Sequence, residues 1–147
     1  MLLKEAVITI LEKYREYEII LTEETKLLVA NDYDNFKDCV ERKIAMINDL
    51  VAFEQERISH FGQITLNDLL DESKDAKLNE YKSQLVDILK SINEKTEKNQ
   101  LLMDQINSYK EMFVATLSKE VGGQNSYSKN KKYDQATQTS NILNKRL

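Results

Sequence analysis

The chain has 147 residues, 41% hydrophobic and 31% charged, with three Gly, no Pro and a formal net charge of −4. That length makes one ordinary domain, and the scarcity of turn residues beside abundant Glu, Lys, Leu and Gln excludes a sheet-rich fold in favour of long helices. Charges of both signs are interspersed, which excludes a basic surface able to neutralise several phosphates, so no nucleic-acid partner is expected.

The first segment, about 2–31, places Leu3, Val7, Ile10, Tyr14, Tyr17, Leu21 and Leu28 at steps of three and four or their sum, with Glu24 as the charged exception. Glu12, Lys13, Arg15, Glu16 and Glu18 fall between seam positions, as a helix requires and a strand does not. Asn31-Asp32 then breaks the pattern and offers a cap to the next helix. So short a connection predicts an antiparallel neighbour.

The second segment, about 32–61, carries Phe36, Val40, Ile44, Ile47, Val51, Ile58 and Phe61 on the expected seam, with Glu54 charged among them. Gly62 suits the end of that helix. Thr65 followed by Asp68 resembles a capping box, and Leu66, Leu69 and Leu70 predict a small helix over about 65–73, packed across the bundle end.

The third long segment, about 75–121, carries Leu78, Leu85, Ile88, Leu89, Ile92, Leu102, Met103, Ile106, Phe113 and Leu117. A helix of ~45 residues spans ~70 Å, against ~45 Å for each of the first two, so it must overhang them or bend. Residues 93–100 contain no apolar side chain, which predicts weak packing there and either a bend or a polar layer. From Gly122-Gly123 the composition turns to Asn, Ser, Lys, Gln and Thr, and a mobile polar tail is expected over 122–147. Its Ile142 and Leu143 are the exception, since clustered aliphatics in such a stretch are poorly used unless they dock. The fold class predicted is all-α: an antiparallel three-helix bundle in 1–121, with a short extra helix, a long third helix and a tail.

Little in the sequence supports catalysis. His60 and Cys39 are the single residues of their types, and 21 residues of helix would hold them ~30 Å apart. A surface histidine and a half-buried cysteine are the expected roles. The residue three before His60 is Arg57 rather than Glu, so the Glu-x-x-His of di-metal bundles is missing, and no glycine-rich phosphate loop occurs. No enzyme activity, cofactor or metal is expected. Apolar runs are too short for a membrane span, Glu5 and Glu12 interrupt any signal-peptide core, and a lone Cys39 fits a reducing compartment, so the cytoplasm is the expected location. Tyr14, Tyr17, Tyr33, Tyr81 and Tyr109 are expected to pack at helix seams or flanks with their hydroxyls reaching water. Tyr127 and Tyr133 lie in the polar tail, where an aromatic can serve as a partner anchor.

Four stretches taken in order resemble the FlgN-type export chaperones. They are the run from Lys43-Ile44-Ala45-Met46 to Glu54-Gln55-Glu56-Arg57; the threonine-capped Ile64-Thr65-Leu66-Asn67-Asp68-Leu69-Leu70; Asn99-Gln100-Leu101-Leu102; and Ser126-Tyr127 with the later Ile142-Leu143-Asn144-Lys145-Arg146-Leu147. The chain departs from the family pattern at Ser128-Lys129-Asn130, where a glycine is common, and at Asn144, where Asp is usual. The resemblance implies a cytoplasmic chaperone that binds the C-terminal helices of hook-associated proteins and delivers them to the flagellar type III export gate. An overhanging third helix would leave Ile106, Phe113 and Leu117 without an intrachain partner, and with Val121, Tyr127, Ile142 and Leu143 these are the expected partner-binding positions. The competing readings are a coiled-coil scaffold whose seams pair between chains, with self-association, and a helical chaperone for a different export client.

Overall fold

The structure, a computed structural model, describes residues 1–117 and comprises α1 (Leu3–Val29), α2 (Tyr33–Phe61), α3 (Leu66–Glu72) and α4 (Ala76–Leu117). Each junction has a local cause. Asn31 adopts a left-handed φ of 55°, ending α1 in a tight turn, and the Asp32 carboxylate accepts the Asn35 amide at 3.3 Å to start α2. Gly62 has φ 86°, a conformation that a Cβ would strain, and it stops α2. The Thr65 hydroxyl accepts the Asp68 amide at 3.1 Å and opens α3, while Asp75 accepts the Lys77 amide at 2.9 Å at the start of α4.

α1 packs against both α2 and α4. Lys13 meets Asp49 at 2.5 Å and Arg42 meets Glu23 at 2.6 Å, so α1 and α2 run antiparallel. Arg15 donates to Gln84 at 2.8 Å and Asn99 donates to the Leu21 carbonyl at 3.0 Å, so α4 returns parallel to α1. α3 crosses the lower end, burying Leu66 and Leu70 in the main core. The Arg57 guanidinium holds that corner: it pairs with Glu54 at 2.5 Å and donates to the Ile64 carbonyl at 3.0 Å, all within a nearly dry site.

The core has two apolar parts. The larger contains Val7, Ile10, Leu11, Tyr14, Tyr17 and Leu21 of α1 with Ile47, Leu50 and Phe53 of α2 and Leu85 and Ile92 of α4. The smaller gathers Leu28, Phe36, Val40 and Met103 at the other end. Each fully buried aliphatic or aromatic side chain contributes roughly 1.5–3 kcal/mol. Between the two parts lies a layer of polar side chains. Glu24 and Lys43 face each other at 3.4 Å, both fully buried, and the Asn99 amide donates to Glu24 at 2.8 Å. The Thr25 hydroxyl donates to the Asn99 side-chain oxygen at 2.5 Å. Thr96 is buried in the same stretch.

Three expectations are corrected by this arrangement. Residues 93–100 hold the expected polar layer and no bend, but they are not weakly packed: α4 runs through them as helix, and Asn99 is 0% exposed because the layer gives its amide partners. The seam of α2 holds Phe36, Val40, Ile47 and Glu54 as the spacing suggests, but at three places the buried position is one residue earlier. Lys43, Leu50 and Arg57 are buried, while Ile44, Val51 and Ile58 are half-buried, because two of the true seam positions hold paired cations that an apolar search passes over. Tyr14 and Tyr17 are buried completely enough to keep their rings from water, and burial, with Glu54 second, pushes the Tyr14 hydroxyl above its ordinary range.

Two measurements check the core. Lys43→Met removes the ammonium facing Glu24 and is expected to cost ~3–5 kcal/mol in urea unfolding, whereas adding Glu24→Leu recovers most of the loss, because the penalty lies in the uncompensated charge. A single variant costing less than ~1 kcal/mol would show that water reaches the layer. The second concerns Cys39, which is buried against the Ile20 carbonyl and whose thiol is pushed up from 9.0 to about 12, by burial first and then by Glu24 and Glu23. Between those values the unfolded chain releases the proton and the folded chain keeps it, so stability falls as pH rises. The urea midpoint of Cys39→Ala is expected to fall less steeply above pH 9 than that of the parent; equal slopes would mean that the folded thiol ionises freely.

Candidate protein-binding surface

The surface with unused apolar area is the upper end of α4. Along this helix a three-four repeat runs through Leu85, Leu89, Ile92, Thr96, Asn99, Met103 and Ile106, all buried or half-buried. The same repeat continues through Lys110, Phe113 and Leu117. α1 ends at Val29 and α2 begins at Tyr33, so no helix among the described residues flanks the last turns of α4. Phe113 is therefore 60% exposed and Leu117 56%, with Tyr109, Met112 and Val114 exposed beside them. A seam is left without the partner that its own periodicity calls for.

Below this end lies a groove of about 560 Å³ between the α1–α2 turn and α4, lined chiefly by Leu28, Val29, Tyr33, Leu102, Ile106 and Tyr109. Its walls are tied together by the Lys110 ammonium, which sits 4.1 Å from the centroid of the Tyr33 ring. Groove and exposed seam are continuous, since Ile106 and Tyr109 belong to the groove and Tyr109 to the exposed end as well.

The expected binding positions fall into three groups. Phe113 and Leu117 lie together on the overhang. Ile106, expected to lack an intrachain partner, instead packs against the smaller core part with Leu28, Phe36, Val40 and Met103, because α4 still has neighbours at that height. Val121, Tyr127, Ile142 and Leu143 lie outside the described residues. Tyr109, Met112 and the groove were not singled out from the sequence. The continued repeat pointed to the seam face, but the groove depends on where the α1–α2 turn stops along α4.

Nothing at this surface is arranged for bond-making chemistry. His60 is exposed at the far end of α2, beside Phe61, and Cys39 is buried with its thiol held protonated. Among the described residues no group of three or more His, Cys, Asp or Glu is placed to hold a metal, and no helix is long and apolar enough to cross a membrane. What the surface offers is apolar area along a helix, the form in which one amphipathic helix receives another.

No characterised protein and no solved structure matches the chain. The family model for FlgN protein matches residues 3–135, taking in all four helices, the polar layer and the overhanging end of α4. That match covers most of the chain, and the chain belongs to the FlgN family of flagellar export chaperones.

Proposed function

We propose that this protein works in the cytoplasm as the chaperone of hook-associated proteins, receiving their C-terminal helices on the upper end of α4 and carrying them to the flagellar type III export gate. Membership of the FlgN family supports the export role. The observation that carries the assignment of the surface is the pair of exposed side chains Phe113 and Leu117, set on a face whose lower positions are core, with Tyr109 and Met112 exposed beside them. A client helix laid along this row would complete the seam with the packing that α1 supplies lower down. About 800 Å² buried on each partner suffices for a specific complex, and the overhang together with the groove gives the client two adjoining patches to cover. Binding of this kind needs no nucleotide.

Phe113 and Leu117 are the positions expected to dominate. Phe113→Ser with Leu117→Ser is expected to weaken the calorimetric affinity for the C-terminal segment of a hook-associated protein at least tenfold, the order of loss for a truncated hot spot. The urea midpoint should move little, because both side chains already face water. Unchanged affinity with an intact fold would remove α4 from the binding surface. If the parent chain proved to be a stable dimer in sedimentation equilibrium and the double substitution made it monomeric, the exposed seam would belong to self-association instead.

A further inference from the structure

The groove at the α1–α2 turn is a largely apolar surface on the net-acidic part of the chain, and residues beyond Leu117 have the complementary composition. Fifteen Lys and Arg against twenty-three Asp and Glu give residues 1–117 a net charge of −8, whereas six against two give 118–147 a net charge of +4. Asp32, Asp34, Asp104 and Glu111 each adjoin a lining residue in sequence. Lys110 is the basic member of the lining and already lies over the Tyr33 ring. Beyond Val121 the aliphatic side chains larger than alanine are Ile142, Leu143 and Leu147, and two cations, Lys145 and Arg146, stand among them.

We propose that residues 142–147 occupy this groove in the free chain, setting Ile142 and Leu143 against Leu28, Leu102 and Ile106, with Lys145 and Arg146 toward the flanking carboxylates, and that a client must displace them. The proposal rests on the reading of the upper end of α4 as the client surface, and it gives Ile142 and Leu143 an intrachain contact before any partner contact. Chain length permits the return. Residues 118–141 have a contour of up to ~80 Å, while the way back from Leu117 to Ile106 is eleven residues of helix, ~17 Å. A tethered segment meets its site at an effective concentration on the order of millimolar, so even a weak intrinsic affinity keeps the groove mostly covered. Opposite charges fix which way the segment lies and suppress binding of acidic segments. The cover sets the client's apparent affinity through the fraction of open groove, and it makes release and re-covering one event.

The test has an arm without client and an arm with it. In the full chain carrying Cys39→Ala and Asn141→Cys, a nitroxide attached at position 141 is expected to broaden the backbone amide signals of residues 28–33 and 102–110 selectively. Adding Ile142→Ser and Leu143→Ser should abolish the effect. Uniform or absent broadening would overturn the proposal, and so would broadening that passes from labelled chains to unlabelled chains in a mixed sample, which would make a second copy the occupant. In the second arm, Ile142→Ser with Leu143→Ser in the otherwise unaltered chain is expected to tighten binding of the hook-associated C-terminal segment by about tenfold, as a groove open about one-tenth of the time becomes fully open. Weaker or unchanged binding would overturn the cover. Absence of client binding to either chain would count against the proposed function alone, since the nitroxide arm contains no client and decides the cover by itself.

Discussion

The carboxylate of Glu24 is the constraint on which the architecture depends. It lies at 0% exposure between three helices, facing the Lys43 ammonium of α2 and accepting from the Asn99 amide of α4. An apolar seam alone tolerates sliding, because one leucine fits the hole left by another. A buried charge does not. Sliding α4 by one heptad in either direction would bring Ile92 or Ile106 opposite Glu24, and sliding α2 would bring Phe36 or Leu50, each leaving a carboxylate in the core without its partners. The polar layer therefore selects one alignment of the three rods, as polar seam residues do in coiled coils.

From that alignment the upper end follows. With Asn99 fixed beside Leu21 and Glu24, α4 has eighteen residues left while α1 has five before it stops at Val29, so the end of α4 outruns it. The first of them still pack: Met103 is buried, and Ile106 is covered by the smaller core part. The last turns have no neighbour among the described residues, and Phe113 and Leu117 stay open. The apolar surface on which a client would lie is thus a consequence of register and of unequal helix length, with no irregular element needed to build it. The Arg57–Glu54 pair does a related task at the opposite end, tying the Ile64 carbonyl so that α3 closes the bundle below. One end is sealed and the other is open.

This asymmetry separates stability from function along the molecule. Below the polar layer, α1 supplies an apolar face to both of its neighbours, and substitutions there act on folding. Above it, the exposed end of α4 buries little apolar area, and substitutions there leave the fold nearly as stable. Tyr14 lies below the layer and Cys39 in the turn of α2 that carries Phe36 and Val40 of the smaller core; burial holds back the ionisation of both, so they record the integrity of the core.

The helices themselves were legible in the amino-acid sequence. Repeats of three and four residues marked α1 and α4, the absence of Pro allowed a helix of 42 residues, and Asp32, Gly62 and Thr65 marked the ends where the structure puts them. These are local effects, set by backbone sterics, capping and the period of side chains around one rod. What only tertiary structure decided was how charged side chains are used. Hydrophobicity alone puts Lys43, Arg57 and Asn99 on the surface and leaves Glu24 as a lone charge in the seam of α1, and the structure buries all four, because partners from other helices or from residues a turn away offset their desolvation. That choice added Lys43, Leu50 and Arg57 to the buried face of α2, gave the polar layer at 93–100 its partners and fixed where α4 outruns its neighbours. The groove was illegible for the same reason: its walls come from residues about seventy positions apart in the chain, and their distance is set by a register that no local pattern contains.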